Sequence, residues 1–243
     1  MLGRPIRCLP SRGRSIVQYS KSSTLASALS IGAHGADFDI QDLGTSPQTV
    51  TLNTTVSGST IIVAKGGLIG GSTNPTYNGI SMGTALRSSV YIGDMWSGYG
   101  LELHGLTNVS GGTGHLVSVT KSTPVNESTL MAVEIKGGLT IQDTSIVARG
   151  RAGAGVSYTS NSVVTTGPAI LVAFWGGDGE TITNPQSASP ESGWTMLDSL
   201  FVTATSYVQM ASAYKAVNAG THTVTWTPDA NQGAVLILVA VQV

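Results

Sequence analysis

The sequence predicts an all-β fold, and three observations lead to this prediction. Its apolar segments are short, rich in Val, Ile and Thr, and separated by clusters of Gly, Asn, Pro and Ser, which is typical of chains built from short strands. The segment 49–56 alternates, with Val50, Leu52 and Thr54 on one face, whereas the continuous runs IIVA and LILVAV suit central strands buried on both faces. No amphipathic helix of useful length interrupts them, so each half of the chain is predicted to be an antiparallel β-sandwich, Ig-like or jelly-roll-like.

The second half of the chain repeats the first half in the same order. STIIVAKGG at 59–67 matches PAILVAFWGG at 168–177, HLVSVTKS at 115–122 matches HTVTWTPD at 222–229, and LMAVEIKG at 130–137 matches LILVAVQV at 236–243. FDIQD at 38–42 also matches LTIQD at 139–143, and YIGDMWSGYG at 91–100 lies over SYVQMASAYK at 206–215, with Met95 over Met210. An ordered set of matches indicates a duplication. The predicted domains are therefore an extended arm at 1–37, a first sandwich at 38–138 and a second at 139–243.

Charge is scarce and unevenly distributed. Charged residues make up 10% of the 243 residues and the net charge is −1, which argues against a nucleic-acid binder that depends on overall charge. No apolar run approaches the roughly 20 residues of a membrane-spanning helix. The residues before Asp37 nevertheless carry a charge of +5, contributed by Arg4, Arg7, Arg12, Arg14 and Lys21. These five side chains predict a basic arm that binds an acidic partner surface.

The candidate chemical groups do not converge on a catalytic site. Of the histidines His34, His104, His115 and His222, the last two occupy equivalent places in the repeat, which favours a structural role over catalysis. We therefore expect no enzyme activity and no catalytic residue, cofactor or metal. A glycosidase stays open as a third hypothesis because it needs two facing carboxylates, for which the candidates are Asp178, Glu180 and Glu191.

Two further groups of residues leave alternatives open. Asp37, Asp39 and Asp42 could supply oxygen ligands to calcium, although a strand edge is favoured because the second copy keeps only Asp143. Trp175 and Trp194 border Gly-rich segments of the second copy, where an indole ring could stack on a sugar or contact a protein partner. Trp226, inside an alternating strand, is predicted to lie in the core.

The second copy, read as ILVAFWGGDG…GWTMLDS…YVQMASAYKAVNAGTHTVTWT…AVLILVAVQV, resembles a β-sandwich module of bacteriophage and prophage structural proteins. The resemblance covers residues 165–243 well and residues 38–138 more weakly, through the repeat. It implies a non-enzymatic protein located in the virion, either a capsid decoration protein or a tail or fibre component. The expected partners are other virion proteins on the capsid or tail surface and further copies of this chain. The alternative is a carbohydrate-binding adhesin that attaches to a host-surface glycan.

Overall fold

The computed structural model describes residues 29–39, 46–68, 72–90, 99–121, 127–152, 155–179, 186–201, 208–229 and 232–243. Within these ranges the chain is 74% strand and contains no helix, and every strand pair is antiparallel. The predicted all-β class is confirmed. A helix capable of crossing a membrane is likewise absent from the described ranges.

The strands of the first half, as far as it is described, are β1 (Ser30–Asp39), β2 (Gln48–Thr55), β3 (Ser59–Leu68), β4 (Thr76–Tyr77), β5 (Ile80–Ser81), β6 (Arg87–Val90), β7 (Tyr99–Val109), β8 (Gly112–Val119) and β9 (Ser128–Lys136). Those of the second half are β10 (Thr140–Ala152), β11 (Tyr158–Thr159), β12 (Val163–Thr165), β13 (Ala169–Gly179), β14 (Ala188–Pro190), β15 (Thr195–Leu200), β16 (Val208–Val217), β17 (Gly220–His222), β18 (Thr225–Pro228) and β19 (Gln232–Gln242).

Each half contributes one five-stranded sheet, and the two sheets have the same strand order. The first sheet runs β1-β9-β3-β7-β6 and the second runs β10-β19-β13-β16-β15. Smaller sheets accompany them: β2-β8-β4-β5 in the first half, and β11-β18-β14 and β12-β17 in the second. Both five-stranded sheets thus place the last strand of their half beside the first strand and beside the buried apolar strand β3 or β13.

Three hydrophobic clusters explain why the central strands are apolar on both faces. Alternate residues of β3 divide between two of them: Ile61 and Val63 join a cluster with the small sheet of the first half, whereas Ile62 and Ala64 face a cluster shared with the second half. That shared cluster draws on β3, β7 and β9 and on β13, β16 and β19. The third cluster joins β13, β16 and β19 to the small sheets of the second half. The prediction that IIVA and LILVAV form buried central strands is therefore confirmed.

The strand β2 follows its predicted alternation only in part. Val50 and Leu52 are buried as expected, but Thr54 is exposed and Thr55 is buried instead. The reason is a polar contact, because the Thr55 hydroxyl lies 2.8 Å from the Tyr77 hydroxyl inside the first half.

The pairing registers show which residues take the same place in the two large sheets. Gly66 pairs with Thr129 and Leu101, and the corresponding trio in the second sheet is Gly176, Val235 and Met210. Leu101 therefore takes the place of Met210, so the alignment of Met95 with Met210 is wrong. Met95 itself lies outside the described residues.

The register also corrects the start of the first half. Ile31 pairs with Ile135, as Ile141 pairs with Val241, so the match of residues 38–42 with 139–143 is wrong by several residues. Residues 30–37, which the sequence assigns to the arm, lie in β1 at the edge of the first sheet. They form a strand because β9 offers them its backbone hydrogen bonds along the full length of the edge.

The edges of the two large sheets meet at two contacts. On one side, His34 of β1 lies with its Nδ1 atom 2.8 Å from Oδ2 of Asp198 on β15. On the other side, Arg87 of β6 donates two hydrogen bonds, of 3.0 and 2.9 Å, to the carbonyl oxygen of Thr144 on β10. In register, His34 corresponds to Thr144 and Asp198 corresponds to Arg87. The two contacts therefore join equivalent positions: the first strand of one large sheet contacts the last strand in the order of the other sheet, on both sides.

Candidate functional site

The most unusual chemistry of the described residues is a group of buried ions in the first half. We call Lys65, Glu102 and His104 the Lys65 cluster. Lys65 follows the apolar run of β3, and its side chain points into the first half, where it is almost fully buried. Its ammonium group donates to Glu102 Oε2 at 2.9 Å, to Ser72 Oγ at 2.9 Å and to the Thr73 carbonyl at 3.0 Å. These three contacts use all three N–H donors of the ammonium group.

Glu102 lies directly opposite Lys65 in the β3–β7 register. Its Oε2 atom is also 3.3 Å from Nε2 of His104, whose Nδ1 atom lies 3.2 Å from the carbonyl oxygen of Gly83. Both ring nitrogens of His104 therefore face an oxygen acceptor. The hydrogen bond from His104, together with the Lys65 ammonium, outweighs burial and lowers the pKa of Glu102 from 4.5 to about 2.

A second buried ion pair lies beside the Lys65 cluster. The Lys121 ammonium contacts the Asp39 carboxylate and, at 3.3 Å, the Ser128 hydroxyl. Ser128 in turn donates to Gln48 Oε1 at 2.9 Å, and Gln48 Nε2 donates to the Ser128 carbonyl at 3.3 Å. The pair fastens the end of β1 to the segment that precedes β9.

A small cavity separates the two ionic groups. Its volume is about 10 Å³, and it is lined by Gln48, Lys65, Gly66, Ser72, Val119, Lys121, Ser128 and Thr129. A volume of this size holds about one water molecule. The cavity therefore has no room for a sugar ring or a nucleotide.

The second half replaces this ionic site by aromatic packing. In register, Trp175 takes the place of Lys65, and Ala211 and Ala213 take the places of Glu102 and His104. The Trp175 ring lies 5.9 Å from Tyr158 and 6.1 Å from Trp226, centroid to centroid. The same fold thus carries a charged interior in one half and an apolar interior in the other.

The tryptophans differ from the sequence-based expectation for a binding surface. Trp175 is completely buried in the core of the second half, so it presents no ring face to a sugar, and its assignment as a glycan or interface contact is wrong. Trp194 is partly buried against the same cluster, and the Lys215 ammonium lies 5.9 Å from its ring centroid. Trp226 lies in the core, as predicted.

The acidic candidates that the structure describes form no metal-binding group. The Asp39 carboxylate is held by Lys121, and burial, reinforced by the charge of Asp39, raises the pKa of Asp37. Asp42 and Glu180 lie outside the described residues, and Glu191 is exposed. Within the described ranges, no three His, Cys, Asp or Glu residues are close enough together to hold a metal ion.

The paired histidines share one kind of contact in the two halves, a contact between a ring nitrogen and a threonine hydroxyl. His115 Nδ1 lies 3.2 Å from the Thr55 hydroxyl, and His222 Nε2 lies 3.1 Å from the Thr165 hydroxyl. Each threonine also donates to a glycine carbonyl at 3.4 Å, that of Gly112 or Gly220. His115 lies within β8 and His222 ends β17, so the expected position at the start of a strand is wrong. In each half the contact instead joins the histidine to the neighbouring strand, β2 or β12, that pairs with its own.

Glu134 has a structural role that the sequence did not reveal. Its side chain is fully buried, and its two carboxylate oxygens accept hydrogen bonds from the backbone N–H groups of Val56, at 2.6 Å, and Ala33, at 2.9 Å. Asp143 does similar work in the second half, accepting from Thr144 N and Val164 N at 2.8 Å each. The available signal was a charged residue inside an apolar run, as in MAVEIKG and IIVAKGG.

The basic residues Arg4, Arg7, Arg12, Arg14 and Lys21 lie outside the described residues, so their role stays a prediction. Comparison of the chain with profiles of known protein families finds no match, and comparison with curated proteins finds none.

Proposed function

We propose that the chain is a non-enzymatic structural protein of a bacteriophage virion, either a capsid decoration protein or a tail or fibre component. In this proposal two tandem β-sandwiches, produced by internal duplication, form one body. The basic N-terminal arm attaches that body to an acidic surface of the particle, and neighbouring copies of the chain assemble beside it.

The duplication is supported by the equal strand order of the two large sheets and by their contacts at the edges. His34 and Asp198 form one contact, and Thr144 and Arg87 form the equivalent contact on the other side. Such an exchange of partners is the hallmark of a two-fold interface between identical subunits. The two halves therefore pack like a dimer whose subunits have been joined into one chain.

The observation that carries the proposal is the apolar cluster between the two large sheets. It joins residues such as Ile62 and Met131 of the first half to Phe174 and Ile237 of the second half, all fully buried. An interface of this kind resembles a domain core and resists relative motion. Two halves that share a core over the described residues, in a chain with 10% charged residues, suit a part of a particle better than an enzyme that must open to its substrate.

The buried ions support the same conclusion. Lys65, Lys121 and Glu134 each bind groups on other strands, so their polar atoms hold strands together. A catalytic group needs contact with a substrate, and the cavity beside Lys65 and Lys121 admits about one water molecule.

The adhesin alternative now depends on Trp194, because Trp175 is buried. One side of the Trp194 ring faces the Lys215 ammonium, which leaves less of the indole for stacking on a sugar. No observation in the described residues favours the adhesin over the virion protein.

Binding to particles tests the proposal. Phage particles are induced from the organism that encodes the chain, and the purified full-length protein is added to them before sedimentation. We expect saturable co-sedimentation that is lost when Arg4, Arg7, Arg12, Arg14 and Lys21 are changed to glutamine. Changing the four arginines to lysine is the matched control, because it keeps the charge and should keep most of the binding. Equal binding by the glutamine variant would contradict the role of the arm.

A further inference from the structure

The two halves create a folding problem because their central strands are similar. β3 contains IIVA before Lys-Gly-Gly, and β13 contains ILVA before Phe-Trp-Gly-Gly. Both strands lie between the last strand of their half and a following strand, in the same register. Backbone hydrogen bonds and apolar alternation therefore allow β3 to enter the second sheet, either in the same chain or in a neighbouring chain. Exchange of equivalent elements is a known failure of repeated domains.

The Lys65 cluster distinguishes the two positions. In its own sheet, the Lys65 ammonium meets Glu102 at 2.9 Å. In the second sheet, the equivalent neighbouring positions are Ala211 and Ala213, both fully buried. Lys65 placed there would be a buried ammonium separated from the Glu102 carboxylate that neutralises it, and breaking a buried ion pair in this way is strongly destabilising.

The opposite exchange is also unfavourable. β13 placed in the first sheet would bring the Trp175 ring against Glu102 and His104. These side chains are larger than the two alanines that stand at the equivalent positions in the second half. The indole would overfill this interior. It would also remove from Glu102 the ammonium that now neutralises it.

We infer that Lys65, Glu102 and His104 act as a strand-identity device, which keeps β3 in the first half and β13 in the second. The cluster contributes less to stability than an apolar interior of the same volume could, because desolvating the ions costs free energy. Its benefit is specificity: misplaced β3 separates the Lys65 ammonium from the Glu102 carboxylate, and misplaced β13 overfills the first interior and takes the ammonium away from Glu102. This inference does not depend on the proposed virion function.

Strand exchange between chains can be measured with the full-length protein. Cys8 is the single cysteine, so one population is labelled there with a donor dye and another with an acceptor dye. In one arm the populations are mixed while unfolded and then refolded together; in the other they are refolded separately and then mixed. Ordinary association of folded chains gives energy transfer in both arms, whereas exchanged strands add energy transfer only in the co-refolded arm.

The decisive variant carries Lys65→Trp, Glu102→Ala and His104→Ala, which gives both halves the apolar interior. We expect the excess transfer of the co-refolded arm to rise several-fold over the wild type, which should show almost none. A second variant adds Trp175→Lys, Ala211→Glu and Ala213→His, so that the two interiors are interchanged. It restores the difference between the halves and should return the excess transfer toward the wild-type level.

A milder variant, Lys65→Met with Glu102→Gln, removes both charges with little change of volume. It tests the same inference if the triple variant does not fold. It should raise the excess transfer in the same direction. Wild-type transfer in every folded charge-free variant would overturn the inference. So would a folded interchanged variant that exchanges strands as freely as the apolar one, since fidelity would then depend on stability and not on strand identity.

Discussion

Removing the Glu134 carboxylate should destabilise the protein more than removing any exposed acid. Glu134→Ala leaves the backbone N–H groups of Ala33 and Val56 without their acceptor, in a place where the side chain is fully buried. Each buried unsatisfied donor costs about 1–3 kcal/mol, and bonds to a charged acceptor lie at the upper end of that range. We therefore expect the free energy of unfolding to fall by about 3–5 kcal/mol.

The second half provides an internal comparison. Asp143→Ala also removes an acceptor of two backbone N–H groups, but Asp143 is only half-buried, so water can replace the carboxylate. Its expected cost is about 1–2 kcal/mol. Glu191→Ala, at an exposed position, should stay within about 0.5 kcal/mol of the wild type.

The assay is urea-induced unfolding of the full chain, followed by far-ultraviolet circular dichroism, with unchanged denaturant dependence as the condition for comparison. Glu134→Gln keeps one acceptor oxygen and should show an intermediate loss, so it serves if Glu134→Ala does not fold. A loss below about 1 kcal/mol for Glu134→Ala would refute the reasoning, because two buried donors would then have found other partners.

The other predictions concern acid stability, the tryptophans and the contact between the halves. The depressed pKa of Glu102 contributes stability that is present above pH 4.5 and is lost as the pH falls from about 4.5 toward 2. Over this pH range the free energy of unfolding of Glu102→Gln should therefore fall less than that of the wild type, by about 1–2 kcal/mol after allowance for the partial exposure of Glu102. An unchanged dependence on pH would contradict this. Trp175→Ala should lower the free energy of unfolding by about 3–5 kcal/mol, and Trp194→Ala should lower it less. Neither change should alter binding to a glycan array. Saturable glycan binding by the wild type that is lost in Trp194→Ala would favour the adhesin. A Cβ atom on Gly105 would overlap the Cδ1 atom of Ile141 in the other half, so Gly105→Ala should cost about 1–3 kcal/mol and Ile141→Val should relieve part of this loss; strictly additive unfolding energies would argue against the contact.

The sequence was sufficient for the fold class because alternation and continuous apolar runs depend on local pattern. The segment 236–241 is apolar throughout, and the structure buries it on both faces of the second large sheet. Register was harder to predict, since it depends on pairing between distant strands. The short IQD match aligned residues 38–42 with residues 139–143, which puts residue 40 at the position of Ile141. Strand pairing puts Ile31 at that position instead.

The site was predicted less well, for a physical reason that Trp175 illustrates. The Gly-Gly pair after it suggested a loop, but β13 continues to Gly179. A Cβ atom on Gly177 would lie 2.6 Å from Trp175 Nε1, so this glycine makes room for the indole inside the strand. Glycine that marks close packing and glycine that marks a turn look alike in a sequence.

Lys65 presents the same difficulty. A lysine beside Gly-Gly reads as an exposed residue, and its burial becomes predictable only when Glu102 is known to lie opposite it. Burying a lysine requires such a partner, and the partner is 37 residues away along the chain, as 102 − 65 = 37. Pairing at that distance is set by the topology of the sheet and not by any local pattern.

The proposed virion function is tested most directly by quantitative mass spectrometry of purified particles. Phage particles from the organism that encodes the chain are purified by density gradient after a high-salt wash that removes weakly adsorbed protein. The proposal predicts peptides from both halves of the chain in the particle band, at a fixed ratio to the major capsid protein from one preparation to the next. A chain that is abundant in the lysate but absent from the particle band, or present there at a ratio that varies between preparations, would contradict it.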